Sequence, residues 1–237
     1  MGEFSGILNK EKIIFSWSGG KDSALALYEI QRSGQYEVAA LLTTIAMPQE
    51  RICMHGIRES LLEDQARSLG ISCHKIYMSE KPSNEEYEAK FRGALDEYKA
   101  KGLNRIAFGD IFLEDLKAYR DANLARWGWE GIYPIWKRDS RELIARFVGQ
   151  GFKGVLACVD QRVLSDSWAG RTIDETFVED LPAGVDPCGE NGEYHTFVYD
   201  GPIFQDKIDI ELGEQVIRAP FVYRDVKKRN PVVTGGV

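Results

Sequence analysis

A glycine-rich turn between an apolar run and a helical run constrains this chain more than any other feature. Ser18-Gly19-Gly20-Lys21-Asp22-Ser23 follows Ile13-Ile14-Phe15 and precedes Ala24-Leu25-Ala26-Leu27-Tyr28. The pattern predicts a strand, a tight turn and a helix, the opening of an α/β unit. Gly19 and Gly20 can take positive φ and bring main-chain N–H groups close to oxygen atoms, while the free N–H groups of a helix start carry partial positive charge. Lys21 adds a full charge, so the turn suits a phosphate. It differs from the common Gly-x4-Gly-Lys-Ser/Thr loop, because Asp22 follows the lysine and Phe15 stands where that loop has its first glycine.

The alternation continues. The first helix ends near Gly34, and 37–45 reads as a strand around Val38-Ala39-Ala40-Leu41-Leu42. A helix over 57–69 carries Ile57, Leu61, Leu62, Ala66 and Leu69 on one face and stops at Gly70. A strand over 72–78 follows. Ser83 with Glu86 forms a capping box for a helix striped by Tyr87, Phe91, Leu95 and Tyr98, ended by Gly102. A strand over 105–111 then runs into Gly109-Asp110, and a helix follows with Leu116, Tyr119, Ala122 and Leu124 as its apolar positions. From about Tyr133 the pattern changes to a short strand into Pro134-Ile135-Trp136, a helix over 139–148, a strand over 154–159 and irregular segments. Right-handed crossovers fold such a series into a doubly wound parallel sheet, whose ligands bind at the carboxyl ends of strands where strand order reverses. The expectation is an α/β chain with a first domain over 1–137, a smaller C-terminal α/β domain over 138–226 and a flexible tail over 227–237.

Of the 237 residues, 28% are charged and 43% hydrophobic, with a formal net charge of −7. That balance fits a globular chain and counts against nucleic acid as a partner. No apolar run reaches membrane-span length and Met1-Gly2-Glu3-Phe4 lacks signal-peptide character, so the cytoplasm is the expected compartment. Cys53, Cys73, Cys158 and Cys188 form no C-x-x-C pair, which speaks against zinc knuckles and for reduced, partly buried thiols. A homodimer is one assembly open to such a chain.

The second informative segment is Asp186-Pro187-Cys188-Gly189-Glu190-Asn191-Gly192-Glu193-Tyr194-His195-Thr196, which gathers turn formers, carboxylates, an amide and an imidazole before the apolar run Phe197-Val198-Tyr199. Ser-Gly-Gly-Lys-Asp-Ser resembles the pyrophosphate loop of the N-type ATP pyrophosphatases, the PP-loop superfamily. Together with Phe108-Gly109-Asp110-Ile111, Pro134-Ile135-Trp136 and the second segment, it resembles the diphthine–ammonia ligase family over roughly residues 12 to 205. Asn191 and His195 depart from that family's loop, which has Gly and Glu there. The Glu-Asn-Gly-Glu-Tyr-His form is similar to a bacterial subgroup with a proposed role in cobalamin salvage.

The resemblance implies an adenine nucleotide alpha hydrolase-like, Rossmann-like first domain, ATP and Mg²⁺ as cofactors, and ammonia and a carboxylate acceptor as the other partners. The implied reaction is adenylation of the carboxylate with release of pyrophosphate, then amide formation. Ser18, Gly19, Gly20, Lys21, Asp22 and Ser23 would bind ATP together with Thr43, His55, Gly109 and Asp110, with Asp22 holding the metal. Met54-His55-Gly56 lies where the superfamily contacts adenine. Glu190, Asn191, Gly192, Glu193, His195 and Thr196 would bind the acceptor and ammonia, and His195 or Glu193 would take the proton from ammonium. Lys21, Asp22, Glu193 and His195 are thus the catalytic candidates. The chain shows no glutaminase constellation, so free ammonia is the expected donor. Two rival readings stay open: a tRNA-thiolating enzyme using the same adenylation step, and a non-catalytic nucleotide sensor.

Overall fold

The computed structural model describes residues 10–229. In chain order the first half runs β1 (Glu11–Ser16), α1 (Lys21–Ser33), β2 (Tyr36–Ala46), β3 (Arg51–Ile52), α2 (Glu59–Leu69), β4 (Cys73–Met78), α3 (Asn84–Lys99), β5 (Arg105–Ala107), α4 (Glu114–Trp127) and β6 (Glu130–Ile132). The second half runs α5 (Ser140–Gly149), β7 (Lys153–Asp160), the one-turn α6 (Phe177–Asp180), β8 (Tyr194–Asp200), β9 (Ile210–Arg218) and β10 (Phe221–Lys228).

Strands β4, β2, β1, β5 and β6 lie side by side in that order, all parallel, and β3 adds antiparallel to the end of β2. Strand order reverses at β1, so the crevice opens where β1 hands over to residues 18–23. The period-two alternation of the buried strands sends their side chains to two faces. Ile13, Phe15 and Leu41 join α1, α2 and the second half in one core. Ile14, Ala40, Leu42 and Ile106 join α3 and α4 in another. The first core continues into Leu156, Phe197 and Val222 of the second sheet, so one apolar interior spans both halves. That sheet is antiparallel, ordered β8-β7-β10-β9.

Helix ends follow local chemistry. Gly34, Gly70 and Gly128 close α1, α2 and α4 in the left-handed conformation, where a Cβ is costly. Ser83 accepts from the Glu86 amide at 3.2 Å, but the Glu86 carboxylate turns back to the Ser79 amide at 2.8 Å instead of completing the box at Ser83.

Four expectations are corrected. β5 stops at Ala107, because after one more bond from the Phe108 amide to Ile132 the chain leaves the sheet to pass α1. The short strand into Pro134-Ile135-Trp136 is β6, which already ends at Ile132, and Pro134-Ile135-Trp136 itself is a turn. On α4, Leu116 and Tyr119 are exposed, while Asn123 and Leu124 are buried; the helix rests on the sheet along a line its apolar spacing did not mark. Lys227 and Lys228, assigned to a tail, pair with Glu211 and Ile210 in the β9–β10 hairpin; residues 230–237 lie outside the described residues.

Candidate functional site

A cavity of about 500 Å³ opens at the strand-order reversal and is lined by both sequence motifs. Ser18, Lys21, Asp22 and Ser23 form one wall, and Glu190, Tyr194, His195 and Thr196 face them from the second half. Thr43, His55, Gly109 and Asp110 complete it, with Tyr87, Phe91 and Phe108 supplying aromatic surface.

The loop over 18–23 has no room to spare. Gly19 has φ +78°, and a Cβ there would meet Gln65 Oε1 at 2.8 Å; a Cβ on Gly20 would meet His55 Cε1 at 2.8 Å. The Ser18 hydroxyl accepts from the Gly20 amide at 3.3 Å and donates to Ser23 Oγ at 3.1 Å. The start of α1 carries no side-chain cap from its own N-cap residue. Instead the Lys21 amide donates to Thr196 Oγ1 at 2.9 Å, across the two halves.

Lys21 is almost wholly buried. Its ammonium donates to Asp22 Oδ2 at 2.8 Å and to the Cys188 carbonyl, and lies 5.1 Å from the centre of the Tyr194 ring. Burial alone would lower its pKa, but the Asp22 carboxylate outweighs it and the pKa is raised, so the ammonium stays charged. Asp22 Oδ1 is buried with no hydrogen-bond partner, a group that a cation at the cavity would satisfy.

The two halves are stitched at this point. Gln65, fully buried on α2, accepts from Trp17 Nε1 at 2.9 Å and donates to the carbonyls of Gly19 at 3.0 Å and Val198 at 2.6 Å. The Val198 amide donates to Gly19 O at 2.9 Å. Thr43 donates to the Trp17 carbonyl at 2.7 Å, which fixes the strand leading into the loop.

His55 Nδ1 lies 3.1 Å from the Thr196 carbonyl, so this nitrogen carries the proton and donates. The His55 and His195 rings stand 4.7 Å apart between centroids. Burial depresses both pKa values, His55 to about 4 and His195 to about 3; both are neutral at neutral pH. Glu190 behaves oppositely. It accepts from the Ile111 amide at 2.8 Å, and burial together with the Asp22 charge pushes it up to about 7.

The other candidates separate. Gly109 packs against α1: a Cβ there would meet the Ser23 nitrogen and the Asp22 carbonyl carbon at 2.9 Å, so its smallness admits the first turn of that helix. The Asp110 carboxylate is joined to Arg120. Glu193, Asn191 and Gly192 do not line the cavity. Glu193 Oε1 accepts from the Asp186 amide at 3.1 Å and from Asn191 Nδ2 at 3.0 Å, bracing the loop from beneath. Gly192 has φ +89° and donates to Gly189 O at 3.1 Å, closing the turn.

Sequence reasoning missed Gln65, Asp186 and the Cys188 carbonyl. Asp186 accepts from the amides of Cys188 and Glu190 at 2.9 and 3.1 Å, which shapes the loop. Gln65 left a readable signal, since it falls on the apolar stripe of α2 between Leu62 and Leu69. Polar residues on such a stripe are buried with partners. The four cysteines are free, and burial raises the pKa of each; none is an activated thiolate.

A parallel sheet with a glycine loop at its reversal point, sealed by a loop from a second sheet, defines a two-part α/β protein of the PP-loop type. Residues 11–128 match the family model described as the diphthamide synthase N-terminal domain, and residues 139–232 match that of the diphthamide synthase C-terminal domain. The chain belongs to the diphthamide synthase family. It is 25% identical over 205 residues to the diphthine–ammonia ligase of Danio rerio, covering 84% of this chain and 74% of the relative. Against the diphthine–ammonia ligase of Homo sapiens it is 30% identical over 127 residues, covering 51% of this chain and 47% of the relative. For that of Schizosaccharomyces pombe the figures are 29% over 95 residues, 38% and 16%. The match thus spans about half the length of the human relative and less of the yeast one.

Proposed function

We propose that this protein is an ATP-dependent amidoligase that joins ammonia to a carboxylate. A carboxylate oxygen attacks the α-phosphorus of ATP, the bond to the β,γ-pyrophosphate breaks, and an acyl-adenylate forms. Ammonia then attacks the acyl carbon, AMP leaves with the bonding electron pair, and a proton is lost as the amide forms. The names of the relatives support this reading. The observation that carries it is the single cavity shared by the phosphate loop and the 186–196 loop, which hydrogen-bond each other through Lys21 and Thr196.

In this reading Ser18, Gly19, Gly20 and Ser23 hold the departing pyrophosphate and Lys21 offsets its charge. Magnesium fits the donors present: one carboxylate with a free buried oxygen, Asp22, leaves the remaining positions to phosphate oxygens and water. When bound it would neutralise phosphate charge. Glu190 is the best-placed acceptor for the ammonium proton, because it faces the cavity with a pKa near 7. His195, depressed to about 3, is a weak base that orients the acceptor, and Glu193 supports the loop. Asp110 acts by fixing Arg120 beside the nucleotide. The four unactivated cysteines, two buried and two half-buried, disfavour thiolation.

The test is product analysis with ATP, Mg²⁺, ammonium and a panel of carboxylates that includes corrinoid acids and diphthine-bearing protein. AMP and pyrophosphate, formed only with one acid and ammonium, are the expected products. ADP would overturn the reading, and tight ATP binding with no turnover across the panel would favour the sensor. Among the described residues no helix is long and apolar enough to cross a membrane. We place the reaction in the cytoplasm, where ATP is made available, and take sedimentation as the check for a homodimer.

A further inference from the structure

A second cavity, of about 280 Å³, adjoins the first: Ile52, Cys53 and Met54 line both. It is built from both halves, with Arg51 and Lys81 from the first and Arg218, Tyr223 and Asp225 from the second. Apart from Met54 and Gly56, which flank His55, it contains no residue of the sequence motifs. Its size approaches that of small-ligand sites.

Its lining carries three cations, Arg51, Lys81 and Arg218, against two carboxylates, Glu80 and Asp225. Asp225 is the carboxylate for three cations: Arg51 at 3.0 Å, Arg58 at 2.7 Å and Lys227 at 3.6 Å. Glu80 accepts from Gln49 at 3.0 Å. Arg218 and Lys81 are exposed, and among the described residues neither is joined to a carboxylate. A chain of net charge −7 has gathered a local excess of cations here. Between them lies apolar surface, from Met54, 68% exposed, and Val216, 42% exposed, beside the Tyr223 ring. Such a lining attracts an anion with an apolar body and repels a quaternary ammonium, for which it offers one aromatic ring and net positive charge.

We propose that this cavity is the acceptor site, and that the acceptor is a carboxylic acid with a second anionic group on an apolar body. The second anion rests on Arg218 and Lys81, the body lies against Val216 and Tyr223, and the reacting carboxylate passes Met54 into the nucleotide cavity. This assignment rests on the ligase reading and names its substrate class.

The test is equilibrium dialysis of the full chain, saturated with a non-hydrolysable ATP analogue, against 2,6-naphthalenedicarboxylate and its matched cation, 6-(trimethylammonio)-2-naphthoate. The dicarboxylate should bind the unaltered protein more tightly than the cation. In the double variant Arg218→Glu, Lys81→Glu it should bind about tenfold or more weakly, and the preference should narrow or reverse. Affinity for the ATP analogue should stay unchanged, because neither residue lines the nucleotide cavity. A second variant, Val216→Trp, fills the cavity without altering charge and should also displace the dicarboxylate. The assignment is overturned if the dicarboxylate fails to bind, binds both variants as well as the unaltered protein, or binds no better than the cation. The readout needs no turnover: absence of AMP formation with every acid would sink the ligase reading and leave the dialysis result standing, and the reverse outcome would sink only this assignment.

Discussion

At the phosphate loop, positions are set by glycine geometry and by the start of α1, whereas in the 186–196 loop they are set by hydrogen bonds that the loop makes with itself and with the other half. Gly19 and Gly20 have their shape because nothing larger fits beside Gln65 and His55. The second loop is held by Asp186, Glu193 and the Tyr194 hydroxyl, which donates to Pro187 O at 2.5 Å. The first loop is therefore a local solution, a turn shaped by small residues at a helix start. The second is a tertiary construction that caps Lys21 and brings Glu190 and His195 to the cavity.

That contrast can be tested at its strongest point first. Lys21→Met keeps the bulk and removes the charge; AMP formation should fall about 10²- to 10³-fold, the range for losing one group that stabilises developing charge, as read by pyrophosphate release. A fall of less than about tenfold would make Lys21 a tie between the halves rather than a phosphate ligand. Gln65→Ala breaks the stitch between loop and second sheet, removes the side-chain donor from the Gly19 and Val198 carbonyls, takes the acceptor from the buried Trp17 Nε1 and leaves a void. It should lower unfolding free energy by about 2–4 kcal/mol in urea titrations. A change below about 1 kcal/mol would mean that the halves are held by their shared core alone.

Glu190→Gln should change the pH dependence of stability. The folded pKa of Glu190, about 7, lies above its ordinary value of 4.5, so the folded state holds the extra proton between those values. Its contribution is complete below pH 4.5 and is lost as pH rises through about 7. The variant should lose roughly 1–3 kcal/mol less than the parent between about pH 5 and about pH 8. An identical slope would show that Glu190 is solvated. His55 and His195 act with opposite sign: depressed to about 4 and about 3 from 6.5, they bind fewer protons when folded. Their contribution is present above pH 6.5 and is lost on acidification through those values. NMR should find both rings neutral at about pH 6, where an ordinary imidazole is largely protonated. The smallest effect belongs to a site remote from both loops. Lys90→Ala removes the exposed pair with Glu86 at 2.8 Å and a bond to the Tyr77 carbonyl at 2.7 Å and should leave the urea midpoint essentially unchanged.

Much of the first half was legible because its signals are local. Apolar runs marked β1 and β2, and Gly34 and Gly70 marked helix ends. The line of α4 was not, since Asn123 is buried and Leu116 exposed by how the helix meets the sheet. In the site, Ser18 to Ser23 stood out by composition, whereas Gly109 both lines the cavity and packs on the start of α1, and Glu193 lies outside the lining and braces the loop. Their chemistry suits either use, and only distance separates the two.

By itself the sequence determined the alternation of strand and helix, the phosphate-shaped turn after β1 and the presence of a polar second loop, because these depend on residues within a few positions of one another. The tertiary structure alone decided that Thr196 caps the amide of Lys21 across 175 positions, that Gln65 joins the halves, and that Glu190 rather than Glu193 faces the cavity. Those outcomes follow from burial and from which carbonyl or carboxylate the fold brings within hydrogen-bond reach, and neither is a property of local sequence.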